Sequence, residues 1–415
     1  RARASPPRGI RTSARGVSKS PGAIVNDATS ALDILQLAWA IALPSDAPSV
    51  PRSRASTGAA RRRTCAMALR RLAKLLVGVA RAREREAIVN DAAFGRVVEG
   101  ALCDADEESC GDDDARATAL EETARALGSL APFELTANAR GYLERASRTT
   151  PMPAKCASVV SWALARCGLE TPSEVENALR GTPFRFCPKM SAGLIDLDEL
   201  RREVGFRREK LTTRDGRRVD ERRETCWMGE AHVGSYAYSG KIMEPVPMVP
   251  CVARVRDALE AKMGERFDCC LINLYPNETA ACAWHTDPLM GTRYATDSVI
   301  VSIGETRRFS FRPIGSTDAE AHWVRAIDGD CVWMFANCQD AYEHCVMTSE
   351  GEENGAPRAS IVFKRSLKRR AAAPRKKKPS TVDDRGGSER RSDGGRGRGG
   401  RGRGGRGRGG RGRGR

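Results

Sequence analysis

The hydrophobic pattern of this 415-residue chain changes period near residue 182, and that change constrains the fold more than any other feature. Residues 64–181 are rich in Ala, Leu, Arg and Glu, with apolar positions at helical spacing. Downstream, one amphipathic helix is expected over Leu194–Val204, followed by short runs of period two broken by Gly, Pro and Asp-Gly. Leu271–Tyr275, Ser298–Ile303, Phe309–Arg312, Cys331–Phe335 and Ala359–Phe363 read as strands. Gly304-Glu305-Thr306 and Asp328-Gly329 read as turns. A pattern of helical period does not sit as a strand, so the chain is α+β with its helices first. Several short strands at modest spacing fit a closed or double-sheet antiparallel fold.

Charge is segregated along the chain. Residues 365–415 hold 20 Lys/Arg against 4 Asp/Glu, and residues 1–63 hold 11 against 3. The middle, residues 64–364, holds 39 against 46. This excludes a uniformly basic, histone-like body and favours polyanion-binding ends on an ordinary soluble domain. Residues 394–415 are almost pure Gly and Arg and have nothing to bury. Four segments result. They are a low-complexity basic segment over 1–63, a helical region over 64–181, a strand-rich domain over 182–366, and a disordered Lys/Arg and Arg-Gly-Gly tail over 367–415. Within the first, only Asp27–Leu43 is helical in pattern, and Asp104–Asp114 reads as a solvated acidic loop. Ala23–Ala28 is echoed at Ala87–Ala92, and Trp39-Ala40-Ile41-Ala42 at Trp162-Ala163-Leu164-Ala165. These strings look a little like an RNA-binding octotricopeptide repeat, but two or three degenerate units cannot build a solenoid, and a plain helical domain is the simpler reading.

The longest apolar stretch, Ile34–Leu43, is about ten residues, short of the roughly 18 a membrane span needs. Fourteen cysteines form no C-x-x-C pair, so no disulfide framework or zinc ribbon is expected. Reduced thiols point to the nucleus or cytoplasm. Residues 1–22 lack acids and are rich in Arg, Ser and Pro, so organellar import stays open beside a disordered arm. The chain opens on Arg1 and not Met, as a piece of a longer protein would.

The chain holds four histidines: His232, His285, His322 and His344. His285 and Asp287 are two residues apart and point the same way on an extended backbone. His344, far downstream, completes a set of two imidazoles and one carboxylate, the facial triad of non-haem Fe(II) oxygenases. The His-x-Asp string also recurs by chance, and a surface His beside a turn Asp would read the same. Two strands add weight. In Leu271–Tyr275, Asn273 and Tyr275 share a face. In Arg358–Lys364, Arg358, Ser360 and Lys364 face one way and Ala359, Ile361 and Phe363 the other. A strand that turns Arg, Ser and Lys inward needs an anion to offset their desolvation, and a dicarboxylate would serve. His322 is expected on a loop or strand surface, His232 on a loop, Trp284 and Trp333 in the core, and Trp227 is ambiguous.

These strings occur in a family's order: Asn273-Leu274-Tyr275, His285-Thr286-Asp287, Ser302–Arg307, His344, then Arg358-Ala359-Ser360. Residues 182–366 thereby resemble the AlkB family of Fe(II)/2-oxoglutarate-dependent nucleic-acid demethylases. Tyr236-Ala237-Tyr238-Ser239-Gly240 resembles that family's nucleotide lid. The resemblance implies a double-stranded β-helix (jelly-roll) dioxygenase domain. It implies that His285, Asp287 and His344 ligate Fe(II), and that Asn273, Tyr275, Arg358, Ser360 and Lys364 hold 2-oxoglutarate, with O2 as second co-substrate. Tyr236 and Tyr238 would meet the substrate, Tyr238 stacking on a flipped base. Lys364 stands where the family often has a second Arg, and a point charge replaces a fork. Pro288-Leu289-Met290 stands where base-repairing members often carry acids, so the preferred base stays open.

The expected substrate is an N-alkylated base in RNA or single-stranded DNA. The Arg-Gly-Gly tail would bind phosphates and stack on bases with little sequence preference. The Lys/Arg run at 368–379 reads equally as a nuclear localisation signal. The alternatives are a non-catalytic RNA-binding reader on a dioxygenase fold and a protein hydroxylase.

Overall fold

A computed structural model describes residues 21–42, 58–79, 81–102, 113–213, 215–348 and 355–368. The N-terminal 20 residues, nearly all of the acidic 104–114 segment and the tail from 369 lie outside the described residues. Among the described residues nine helices come first: α1 (Pro21–Asp27), α2 (Ala31–Ala42), α3 (Gly58–Leu75), α4 (Ala82–Val89), α5 (Ala92–Leu102), α6 (Asp113–Leu130), α7 (Ala137–Thr149), α8 (Ala154–Arg166) and α9 (Ser173–Ala178). Strand β1 (Phe184–Cys187) and helix α10 (Leu197–Glu203) follow. Then come β2 (Lys210–Thr212), β3 (Arg218–Asp220), β4 (Glu224–Gly229), β5 (Tyr236–Tyr238), β6 (Lys241–Met243) and helix α11 (Pro250–Met263). The chain continues through β7 (Cys269–Tyr275), β8 (Cys282–His285), β9 (Tyr294–Gly304), β10 (Arg307–Pro313), β11 (His322–Ala326) and β12 (Cys331–Met334). It closes with helix α12 (Cys338–Ala341), β13 (Tyr342–Val346) and β14 (Arg358–Ser366).

Local chemistry sets several boundaries. Asp196 caps α10 by accepting from Glu199 N at 2.7 Å. Helix α11 starts on Pro250 and stops at Gly264 in the left-handed conformation. Among the described residues two larger antiparallel sheets form, one of six strands in the order β1-β12-β9-β14-β7-β4 and one of four in the order β11-β10-β13-β8, beside two-stranded hairpins β2-β3 and β5-β6. Their inner faces meet: Phe184 of the first sheet stacks on Phe311 of the second, ring centroids 4.0 Å apart. This mixed architecture is consistent with a jelly-roll dioxygenase. The other face of the six-stranded sheet packs Ile272, Val301, Ile361 and Phe363 against Leu200, Val252, Val255 and Leu259 of α10 and α11. Each such side chain, fully buried, stabilises by roughly 1.5–3 kcal/mol.

The helices form a third layer with its own core. Residue 63, the expected end of the basic segment, lies inside α3, and α1 and α2 bury Val25, Ile34, Leu35 and Ala38 in the helical core. Helix α3 packs on α1, α2, α5 and α6 alike, whereas solenoid units touch only their neighbours. Trp162 reaches the bundle centre because Gly128 of α6 lacks a Cβ, which would lie 2.5 Å from the indole.

Three residues depart from expectation, among them Trp333, which is half-buried against the core of the six-stranded sheet and not within it. His322 is not on a loop or surface. It is 4% exposed on β11, with Nδ1 2.9 Å from Ser158 Oγ of α8, because the helical layer covers this edge strand. Trp284 is not core but half-buried, with the Arg312 guanidinium 4.1 Å from its ring. Trp227, left open by the sequence, is buried against Tyr236. His232 sits in a turn, 3.1 Å from Asp268 Oδ2.

Candidate metal and co-substrate site

Strands β8 and β13 are paired so that His285 lies directly across from His344, ring centroids 4.3 Å apart. Asp287 follows two residues beyond His285. Its Oδ1 lies 3.7 Å from His285 Nε2 and 4.0 Å from His344 Nε2. Three ligand atoms within 4.8 Å of one another make a set that could hold a metal ion. The Nδ1 of His285 lies 2.8 Å from the Ala283 carbonyl, which accepts, so this nitrogen carries a proton and Nε2 is the one turned to Asp287 and the cluster, where a cation would displace the second proton. The Asp287 amide donates to Gln339 Oε1 at 2.7 Å, and Lys364 Nζ donates to Asp287 Oδ2 at 2.5 Å.

The charge states of Asp287 and His344 suit a cation. Burial alone would raise the Asp287 carboxyl, but Lys364 and the two imidazoles outweigh it and hold the group well below the carboxylate range. Burial, aided by the charge of His285, pushes His344 down to about 3, so it offers a neutral lone pair. Burial would also lower His285, but the Cys282 sulfur, 3.5 Å from Nδ1, and Asp287 carry it up to about 9.

Next to this cluster the central strand β14 sets Arg358 beside Tyr275 and Gly304, and Ser360 beside Asn273 and Ser302. Arg358 is fully buried, with one bond from Nη2 to Ser302 Oγ at 3.2 Å. Its Nε and Nη1 have no partner among the described residues, nor has Asn273 Oδ1. Asn273 Nδ2 donates to Ser360 Oγ at 3.3 Å. Arg307, 1% exposed, adds two further unpartnered nitrogens, Nε and Nη1, close enough for Arg358 to depress its pKa after burial itself. Two adjacent buried guanidinium groups with unfilled donors fit a carboxylate-bearing ligand.

A cavity of about 930 Å³ holds His285, Asp287, His344, Asn273, Tyr275 and Ser360 in its wall. Tyr238 also lines it, on the hairpin formed by β5 and β6. Tyr236 lies in the wall at 1% exposure, stacked on Trp227. Arg365, the next residue of β14 after the buried Lys364, is exposed. Arg307, Gln339 and Glu221 were missed from the sequence. Arg307 carried a signal, since it shares the inward face of β10 with Phe309 and Phe311. Glu221 had none, because Asp220-Glu221-Arg222-Arg223-Glu224 reads as solvated charge.

Residues 190–369 match the 2OG-Fe(II) oxygenase superfamily. Uncharacterized protein R406 of Acanthamoeba polyphaga mimivirus is 33% identical over 186 residues, 44% of this chain and 93% of that protein. The chain belongs to the 2OG-Fe(II) oxygenase superfamily. That superfamily uses Fe(II), 2-oxoglutarate and O2, and His285, Asp287 and His344 form a potential metal-binding triad in the matched region. The Bos taurus alpha-ketoglutarate-dependent dioxygenase alkB homolog 3 is 31% identical over 134 residues, 30% of this chain and 44% of that protein. The Bos taurus DNA oxidative demethylase ALKBH2 is 32% identical over 78 residues, 19% of this chain and 28% of that protein. The chain thus spans under half the length of both cattle proteins. No helix among the described residues is long and apolar enough to cross a membrane.

Proposed function

We propose that the oxygenase domain is a double-stranded β-helix enzyme that oxidatively demethylates N-alkylated bases in RNA or single-stranded DNA. The observation that carries this reading is the His285–Asp287–His344 cluster opening into the cavity that Tyr238 lines, with unfilled Arg358 donors beside it. The similarity to alkB homolog 3 and to a DNA oxidative demethylase supports it.

In this reading His285, Asp287 and His344 hold Fe(II). Asn273, Tyr275, Arg358 and Ser360 hold 2-oxoglutarate, with Arg307 behind Arg358. Lys364, bonded to Asp287, fixes the carboxylate that faces the metal. Bound iron and 2-oxoglutarate supply O2-dependent oxidation of a C–H bond, coupled to conversion of 2-oxoglutarate to succinate and CO2. The chain positions the base, and Tyr238 offers it an aromatic face. An N-methyl group oxidised to N-hydroxymethyl collapses to the free base and formaldehyde. The Arg-Gly-Gly tail adds affinity for the polyanion and no chemistry.

Mass spectrometry of a panel of methylated oligonucleotides, incubated with enzyme, Fe(II) and 2-oxoglutarate, tests this. We expect one or more bases to lose a methyl group as formaldehyde forms. His285→Ala, His344→Ala and Asp287→Asn should each abolish succinate formation. Asn suits position 287 because Lys364 is buried against this side chain and Ala would strand its charge. Succinate formation without loss of any base methyl across the panel would defeat the demethylase reading.

A further inference from the structure

A buried carboxylate outside the metal cluster joins three elements that border the cavity. Glu221 is 3% exposed, directly after β3. Its Oε1 accepts from Tyr238 Oη at 2.8 Å and from Arg223 Nε at 3.0 Å, and its Oε2 accepts from Lys241 Nζ at 2.6 Å. Lys241, 4% exposed, also donates to Thr225 Oγ1 of β4 at 2.6 Å and lies 4.9 Å from the Tyr238 ring centroid. Tyr238 and Lys241 flank the turn between β5 and β6, where Ser239 and Gly240 have φ of 47° and 76°. The same turn is tied to the neighbouring hairpin, since Thr212 N donates to Ser239 O at 2.8 Å. A Cβ on Gly240 would meet Thr212 Oγ1 at 2.7 Å, so this approach needs glycine.

We propose that Glu221 is a positioning residue that clamps Tyr238 over the cavity and couples the hairpin of β5 and β6 to that of β2 and β3. A lone carboxylate at this depth needs its charge matched, and Lys241 of β6 and Arg223, two residues further along the same loop, match it. The phenol takes a further lone-pair direction, so the ring of Tyr238 is fixed by its hydroxyl as well as by packing. The hairpin of β2 and β3 exposes Lys210, Arg217 and Arg218, so a strand of nucleic acid engaging it would bear on Tyr238 through Glu221. The consequence for turnover rests on the demethylase reading above, while the clamp itself does not.

The chain has six tyrosines, so 3-fluorotyrosine labelling of the full protein gives a fluorine spectrum in which Tyr238→Phe assigns one signal. We expect Glu221→Gln to shift that signal and leave those of Tyr142 and Tyr342 in place. Glu221→Asp keeps the charge for Lys241 but draws the carboxylate back by one methylene. It should show the same selective shift, and it covers the case in which the amide variant fails to fold. A Tyr238 signal unmoved in the folded variants, or all six moving together, overturns the clamp. In turnover, Glu221→Gln and Tyr238→Phe should each raise the oligonucleotide KM about tenfold and lower formaldehyde formed per succinate, and the double variant should do little more than either. A merely structural residue would lower both products in proportion, and that result also overturns the clamp. Wild-type enzyme that demethylates no oligonucleotide, while Tyr238 still answers to Glu221, would defeat the demethylase reading alone.

Discussion

At the scale of single residues, burial decides which polar groups matter. Arg358 is enclosed with two unfilled nitrogens, and removing one partner of a buried charge pair costs about 2–5 kcal/mol. Arg358→Ala should therefore raise the KM for 2-oxoglutarate by roughly 30-fold to several thousand-fold. Succinate release against 2-oxoglutarate concentration measures it, and a change under about fivefold would remove Arg358 from that role. His322 gives a different kind of prediction. Burial, with Lys155 nearby, pushes its pKa down from 6.5 to about 4. The folded state thus binds this proton more weakly than the unfolded chain, so stability falls as pH drops through 6.5 towards 4, by at most about 3 kcal/mol. Urea midpoints between pH 7 and 4 should fall more steeply in the wild type than in His322→Gln. Parallel slopes would mean that His322 titrates normally. The sequence had placed His322 on a surface, since no window around it contains Ser158, which covers it.

At the scale of elements, the helical layer is latched to the sheets by buried polar contacts. Arg166 at the end of α8 pairs with Asp330 at 2.8 Å, both side chains 4% exposed, and Arg166 Nε donates to Gly128 O of α6 at 2.8 Å. Arg325 of β11 adds a bond from Nη1 to Ser129 Oγ at 2.9 Å. Asp330→Asn keeps an acceptor for the Lys189 amide, which Asp330 Oδ1 holds at 3.0 Å, while removing the charge that Arg166 needs. It should cost about 3–5 kcal/mol, read from equilibrium urea unfolding at pH 7, and a loss below about 1 kcal/mol would make the latch incidental. Short apolar or alternating runs were legible in advance: β7, β9, β10 and β14 contain the expected runs, and β12 holds all of its run but Phe335. In the smaller sheet, β8, β11 and β13 were not. Cys282-Ala283-Trp284-His285, His322-Trp323-Val324-Arg325-Ala326 and Tyr342-Glu343-His344-Cys345-Val346 mix polar and apolar residues, with neither an apolar run nor a clean period-two pattern. Those strands exist because β10 and the helical layer give their edges partners, which is a long-range effect.

For the whole molecule, charge segregation carries the remaining prediction. Residues 371–415 hold 16 Lys/Arg against 4 Asp/Glu. Each phosphate neutralised on a single strand contributes about −0.7 to the slope of log affinity against log salt. Removing 371–415 should flatten that slope and weaken binding to long RNA alike across sequences, with little change in turnover of a saturating short oligonucleotide. Filter binding at several salt concentrations checks this, and an unchanged slope would take away the main support for RNA over single-stranded DNA. That charge pattern, the order of helices before strands, the His-x-Asp string and the inward face of β14 were fixed by the sequence alone. Composition and periodicity are local properties, and a local window contains all of them. The placement of His285 against His344, the bond from Lys364 to Asp287, the pairing of Arg307 with Arg358 and the burial of Glu221 belong to the tertiary structure. Each depends on segments distant in the chain meeting in a dry interior, where desolvation makes a charge seek its partner. The sequence carries no separate mark of which partner that will be.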